Sequence, residues 1–139
     1  MYTKESQLVK DFQKKLKTTR KKNVKCLNFA TEFNYRSGKT DIIGITKDGF
    51  LIAFEAKLYK WKDALHQAYK NTIYAHYSYV VLPDKTATIA LKFIDEFEKR
   101  GIGLCTINQS SIIVHIEAIK NCPYSVWLTE HANNYIENA

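Results

Sequence analysis

The stretch from Thr40 to Lys57 constrains this chain more than any other. Thr40-Asp41-Ile42-Ile43-Gly44-Ile45-Thr46 is a β-branched run, Lys47-Asp48-Gly49 is a turn signal, and Phe50-Leu51-Ile52-Ala53-Phe54-Glu55-Ala56-Lys57 is a second apolar run. β-Branched and aromatic residues fit the pleated surface of a strand, so two such runs around a glycine-bearing loop read as a hairpin. Their apolar residues are nearly continuous, which suits strands covered on both faces in the middle of a sheet. A three-residue loop of type I plus a left-handed Gly49 sets Thr46 against Phe50, and counting back places Asp41 beside Glu55. Glu55 and Lys57 then share a face, because Ala56 lies between them. A two-residue Asp48-Gly49 turn instead sets Asp41 opposite Ala56 and breaks the cluster, and the sequence leaves both registers open.

Around this hairpin the chain alternates in period. Residues from about Lys4 to Lys17 read as a helix with Leu8, Val9, Phe12 and Leu16 on one stripe. Thr18 to Asn23 is a basic connection, Val24 to Phe33 a strand, and Asn34 to Lys39 a polar loop carrying Gly38. Trp61 to about His76 reads as a helix with Trp61, Leu65, Ala68 and Tyr69 on one side, and Tyr77 to Leu82 as a strand closed by Pro83. A helix from Thr86 or Ala87 to Arg100, with Leu91, Ile94 and Phe97 inward, stops at Gly101. Ile102–Ile107 and Ser111–Ile116 are short strands with a turn near Asn108, and a last short helix fits the tail around Trp127. The order α-β-β-β-α-β-α-β-β predicts an α/β fold: three layers, α/β/α, around a central mixed sheet. At 139 residues the chain is read as a single domain, residues 1–139.

The chemistry resides in the acids. Charges are rare in a strand otherwise made of Leu51, Ile52, Ala53 and Phe54. Keeping them there costs several kcal/mol unless they are paired or bind a cation. Two hard carboxylates suit Mg²⁺, and a lysine beside the ion can hold or activate water or steady charge on phosphorus. The plain structural alternative is an ion pair of Lys57 with Glu55 or Asp41. Net charge is +7 and the pI about 9.3, with Lys14, Lys15, Lys17, Arg20, Lys21 and Lys22 clustered early. That excess suits a polyanion, nucleic acid above all. The three cysteines, Cys26, Cys105 and Cys122, are odd in number and far apart, so they read as reduced, with no disulfide framework and no CxxC zinc pair. No apolar run is long enough for a bilayer and the first residues lack an apolar signal core, so the expected compartment is the cytoplasm and no membrane partner is expected.

Thr40-Asp41-Ile42 followed by Phe54-Glu55-Ala56-Lys57 resembles the PD-(D/E)XK, or restriction-endonuclease-like, nuclease superfamily, with Thr-Asp in place of Pro-Asp. The order helix, three strands, helix, strand is similar to that superfamily's core, and the resemblance extends from the first helix to Pro83. Trp61-Lys62-Asp63-Ala64-Leu65-His66-Gln67-Ala68 also resembles the glutamine-bearing helix that follows the Glu-x-Lys strand in several branches, although Asn71 stands where some branches carry tyrosine. The resemblance implies a metal-dependent hydrolase cutting phosphodiester bonds, with DNA, most readily double-stranded, as substrate. It implies Asp41 and Glu55 as ligands of Mg²⁺ or Mn²⁺, and Lys57 as the residue that positions or activates water. Gln67 reaches the site from its helix, and Glu5 or Glu32 supplies a further acid. Arg36 and Lys39, just before Asp41, are expected phosphate contacts, and Lys21 and Lys22 belong to the basic binding surface. The alternative is a catalytically inactive nucleic-acid-binding or accessory domain that keeps the nuclease fold. With no separate recognition domain in the sequence, specificity is expected from a homodimer or a partner protein.

Overall fold

The computed structural model describes residues 2–36, 38–108 and 110–139. Among them, six strands form one sheet in the order β1-β2-β3-β4-β5-β6. These are Asn28–Tyr35, Gly38–Ile45, Leu51–Ala56, Tyr77–Val81, Gly103–Ile107 and Ile112–Ile116. The first three are antiparallel neighbours, β3-β4 and β4-β5 are parallel, and β6 closes the edge antiparallel to β5. The sheet is mixed and carries helices on both faces, an α/β fold.

Helix α1 (Glu5–Thr18) covers one face. Leu8, Phe12 and Leu16 are buried against Ile42, Ile52, Phe54 and Ala56, and Phe12 meets the Phe54 ring at 4.9 Å. Each such side chain contributes about 1.5–3 kcal/mol of burial, which is why this stripe sets how the helix sits. The other face carries α2 (Trp61–Asn71), α3 (Asp84–Ala90), α4 (Ile94–Glu98) and α5 (Val126–Glu137). Helix α5 lies over β1 and β2, where Leu128, Ala132 and Ile136 pack on Ala30, Phe33 and Ile43, and Ser125 caps its start by accepting from the Leu128 N–H. No helix among the described residues is long and apolar enough to cross a membrane.

Several elements differ from the sequence expectation, each for a local reason. The stretch Asn34–Lys39 is mostly strand: Asn34 pairs with Lys39 and Tyr35 with Gly38, leaving a tight hairpin at Arg36 (Ser37 lies outside the described residues). The first strand starts at Asn28 instead of Val24, since Val24 belongs to a turn whose N–H bonds the Lys21 carbonyl. Helix α2 ends at Asn71, because His76 must already be extended to donate to the Leu51 carbonyl. The expected 86–100 helix is broken at Phe93, which leaves the helical region and stacks on Trp61 at 5.2 Å. As a result Ile94, read as inward, is 38% exposed, and Tyr69 likewise faces outward. Of the cysteines, Cys105 is buried, Cys26 half-buried and Cys122 exposed, all free.

Candidate active site

The hairpin between β2 and β3 uses the three-residue turn. The Thr46 N–H donates to the Phe50 carbonyl at 2.8 Å, the Gly49 N–H to the Thr46 carbonyl at 3.0 Å, and Gly49 sits at φ +87°. From there the register runs Ile45–Leu51, Gly44–Ile52, Ile43–Ala53, Ile42–Phe54. The next step brings Asp41 level with Glu55.

At that level the ladder opens. Both strands of the β1-β2 pair lose their alternation here. Ala30 and Phe33 pack in the same core, three positions apart, because Glu32 between them adopts φ +55°. On β2, Ile43 lies in that core, and Thr40 turns to the same side, bonding Tyr74. Asp41 is thereby aimed edgewise at β3, and its Oδ2 accepts the Ala56 N–H at 2.9 Å. A continued antiparallel ladder would offer that N–H a backbone carbonyl from β2. A side-chain carboxylate has taken the place of a strand bond, and this places it beside Glu55.

Glu55 faces α2 and is only 4% exposed. Its Oε1 accepts from Asn71 Nδ2 at 2.9 Å. Asn71 Oδ1 in turn accepts from Tyr35 Oη at 2.6 Å and Thr40 Oγ1 at 2.9 Å, and Tyr74 Oη donates to Thr40 Oγ1 at 2.7 Å. With so many donors on its oxygen, Asn71 must present its amide N–H to the carboxyl, so the network fixes Glu55 in one orientation. Burial raises the Glu55 pKa, and the neighbouring Asp41 charge raises it further, against the pull of the Asn71 hydrogen bond; the group stands at about 9. A buried carboxyl pushed this way by a second carboxyl is the signature of two acids sharing one site, where either a proton or a cation must relieve the charge.

The remaining candidates are distributed unevenly. Gln67 is beside the acids: its Nε2 donates to the Lys39 carbonyl at 3.1 Å and reaches Asn71 Oδ1 at 3.4 Å. Gly38 makes this possible, since a Cβ there would stand 2.6 Å from Gln67 Nε2. Lys57 continues the parallel ladder, donating its N–H to the Val81 carbonyl. Its ammonium, however, pairs at 3.8 Å with Glu5 in the first turn of α1, and not with Asp41 or Glu55. Glu5 is therefore the partner of Lys57 on the α1 side of the sheet. Glu32 lies level with Asp41 on β1 but is exposed and paired with Lys39 at 3.5 Å. Arg36 is exposed in the hairpin beside this edge. Lys21 and Lys22 are exposed in the connection between α1 and β1, which rejoins the sheet at Leu27, whose N–H bonds the Ile45 carbonyl next to the Lys47–Gly49 turn. That is the far end of β2 from Asp41, about 13 Å along the strand. Among the described residues, no three or more His, Cys, Asp and Glu side chains converge in a metal-holding group. His76 has a structural task, its Nδ1 accepting the Leu51 N–H at 3.0 Å, and His66 is exposed.

Asn71, Tyr35 and Tyr74 carry the orientation of Glu55, a role the sequence assigned to none of them, although Asn71 stood out where some branches carry tyrosine. A signal for Asn71 existed. Trp61, Ala64, Leu65 and Ala68 are the buried stripe of α2, and Asn71 is the next position on it. A polar residue on an apolar stripe must meet a buried partner.

No family model matches the chain, and no curated protein matches it in sequence. Among the solved structures similar to it in fold are two of low sequence identity. A protein of unknown function from Silicibacter pomeroyi is 15% identical with a TM-score of 0.56, over 79% of this chain and 71% of that one. A repair endonuclease from Pyrococcus abyssi is 16% identical with a TM-score of 0.45, over 78% of this chain and 49% of that one, so this chain spans about half its length. The first likeness shows the fold, and neither brings an activity to this chain.

Proposed function

We propose that the chain is a divalent-metal-dependent nuclease that hydrolyses phosphodiester bonds in DNA. The observation that carries the reading is the pair Asp41 and Glu55, set side by side where β2 leaves β3, with Glu55 buried and its pKa raised. The donor set fits Mg²⁺ or Mn²⁺: hard carboxylate oxygens on rigid strands, with the remaining positions left to water and phosphate. Asp41 and Glu55 would hold the ion, and Glu55 must release its proton to do so. When bound, such an ion supplies positive charge against the phosphate and eases deprotonation of the attacking water. Asn71 holds the Glu55 carboxyl in place, and Gln67 holds the Lys39–Thr40 backbone against α2. Lys57, freed from Glu5, can reach the water or the phosphate, and Glu5 can take up a proton or contact a second water. Arg36 and Lys39, at the same edge, suit the flanking phosphates; the net charge of +7 strengthens their pull at low salt. A second copy or a partner protein would supply target specificity.

The test is cleavage of plasmid and linear DNA with Mg²⁺ or Mn²⁺ by wild type, Asp41→Asn and Glu55→Ala, beside calorimetric Mn²⁺ titration. Cleavage by wild type that falls at least about 100-fold in both variants supports the reading. Equal background in all three removes it, and metal-independent DNA binding with no cleavage leaves the non-catalytic binding domain in its place.

A further inference from the structure

Helix α5 follows after the sheet is complete and lies outside the stretch, from the first helix to Pro83, that resembles the nuclease core. One of its side chains nevertheless reaches the break that aims Asp41. Along β1 and β2 the register is unshifted, with Thr31 opposite Ile42 and Phe33 opposite Thr40, yet Glu32 and Asp41 between them form no pair. Glu32 is the one non-glycine residue with positive φ among those described. The Tyr135 hydroxyl meets this residue from α5. It donates to the Thr31 carbonyl at 2.6 Å and shares its proton with the Glu32 carbonyl at 3.1 Å. The Tyr135 ring lies 5.3 Å from that of Phe33, the next residue along β1. Successive carbonyls of a regular strand point in opposite directions, so a single hydroxyl cannot meet both. Here it does, because the left-handed Glu32 brings the two carbonyls to one side.

We propose that Tyr135 is a positioning residue of the acid pair: its hydroxyl binds the broken form of β1 and not the regular one, and through that break it holds Asp41 on the Ala56 N–H beside Glu55. The inference rests on the nuclease reading for what the pair is held ready to do. A left-handed glutamate is strained, because its Cβ crowds the following carbonyl, and relief of that strain would return Glu32 and Asp41 to a regular ladder. Phe33 and Thr40 oppose this with side chains turned to the core. Tyr135 opposes it at the backbone, and its contribution resides in one oxygen atom. In the regular ladder the Ala56 N–H would be open to a carbonyl of β2, and Asp41 would leave it. The Asp41–Ala56 bond, at 2.9 Å, therefore reports the state of the break from the far side of β2. Tyr135 acts on the β1 backbone, so its effect is on where Asp41 stands and not on any reacting atom.

The test pairs the Ala56 amide proton shift, read by nuclear magnetic resonance in the metal-free protein at one fixed pH, with calorimetric Mn²⁺ titration. The proteins are wild type, Tyr135→Phe, Ser125→Ala and Asp41→Ala. Tyr135→Phe keeps the ring on Phe33 and removes only the hydroxyl. Ser125→Ala removes the cap at the other end of α5 and loosens the helix without touching the break. Asp41→Ala gives the Ala56 shift with no carboxylate bound. One lost hydrogen bond should weaken Mn²⁺ binding about threefold or more in Tyr135→Phe. A threefold loss means that about two-thirds of the molecules have released Asp41, so the Ala56 proton should travel about that far towards its Asp41→Ala position. Ser125→Ala should leave both readings at the wild-type values. An Ala56 shift unmoved in Tyr135→Phe, or moved equally by Ser125→Ala, would overturn the proposal, since a merely structural tyrosine lowers stability alone. Wild type that takes up no Mn²⁺ would remove the metal-dependent reading, while the metal-free Ala56 shift would still decide the role of Tyr135. Mn²⁺ uptake and cleavage that Tyr135→Phe leaves intact would do the reverse.

Discussion

Glu55→Gln is the substitution whose outcome the structure determines most closely. Glutamine keeps the shape and can still accept from Asn71, but it carries no charge. In the wild type, burial and the Asp41 charge lift the Glu55 pKa well above its ordinary value. The folded state therefore holds a proton that the unfolded state releases, and stability falls as pH rises from the ordinary carboxyl range towards the raised value. Each pH unit in that window costs about 1.4 kcal/mol, so between pH 5 and 8 the loss has a ceiling of about 4 kcal/mol. Relaxation around Asp41 lowers it, and about 2 kcal/mol is a reasonable floor. For 139 residues the unfolding entropy converts 1 kcal/mol into about 3–4 °C. In EDTA, Glu55→Gln should match wild type at pH 5 and melt about 7–14 °C higher at pH 8. Added Mn²⁺ should invert the order at pH 8, because only the ionised wild-type pair gains from the cation. The assay is thermal unfolding followed by circular dichroism across pH, with and without metal. Parallel pH slopes for the two proteins in EDTA would refute the account of Glu55 as a carboxyl held against its charge.

Asn71→Leu leaves the buried Glu55, Thr40 and Tyr35 without their shared partner and should cost about 2–4 kcal/mol in urea unfolding, with a loss of Mn²⁺ affinity that Thr40→Val reproduces only in part. Gly49→Ala meets no atom within 4 Å but must adopt φ +87°, so it should destabilise by about 1–2 kcal/mol with the register, read from cross-strand nuclear Overhauser effects at Thr46 and Phe50, unchanged. Glu5→Gln removes only a half-exposed ion pair and should alter stability by less than about 0.5 kcal/mol, while moving the pH profile of any cleavage through the freed Lys57.

The parts of this molecule that were legible in the sequence are those set by local rules. Gly49 and the β-branched runs on either side carry the hairpin and its register, because turn type and strand period act within a few residues. The α1 stripe and the βαβ step through Trp61–Val81 follow from periodicity in the same way. What the sequence hid is how the ladder ends. By simple alternation Asp41 faces straight across at Glu55. In the structure paired breaks at Glu32 and Thr40 turn it edgewise, onto the Ala56 N–H. Nothing about glutamate at position 32 announces a left-handed residue, since that conformation is imposed by Phe33 and Thr40 both seeking the core under α2 and α5. Lys57 shows the same limit. Alternation assigns it to the face of Glu55, but β3 ends at Ala56, so Lys57 is no longer bound by the strand's alternation, and its ammonium goes to Glu5. The acid pair is thus built by departures from strand geometry that tertiary packing enforces, and the cation-binding role proposed for it depends on those departures. If Phe33→Ala, which removes one of the side chains demanding the break, abolished Mn²⁺ binding while the sheet still formed, the left-handed Glu32 would be established as part of the site's construction.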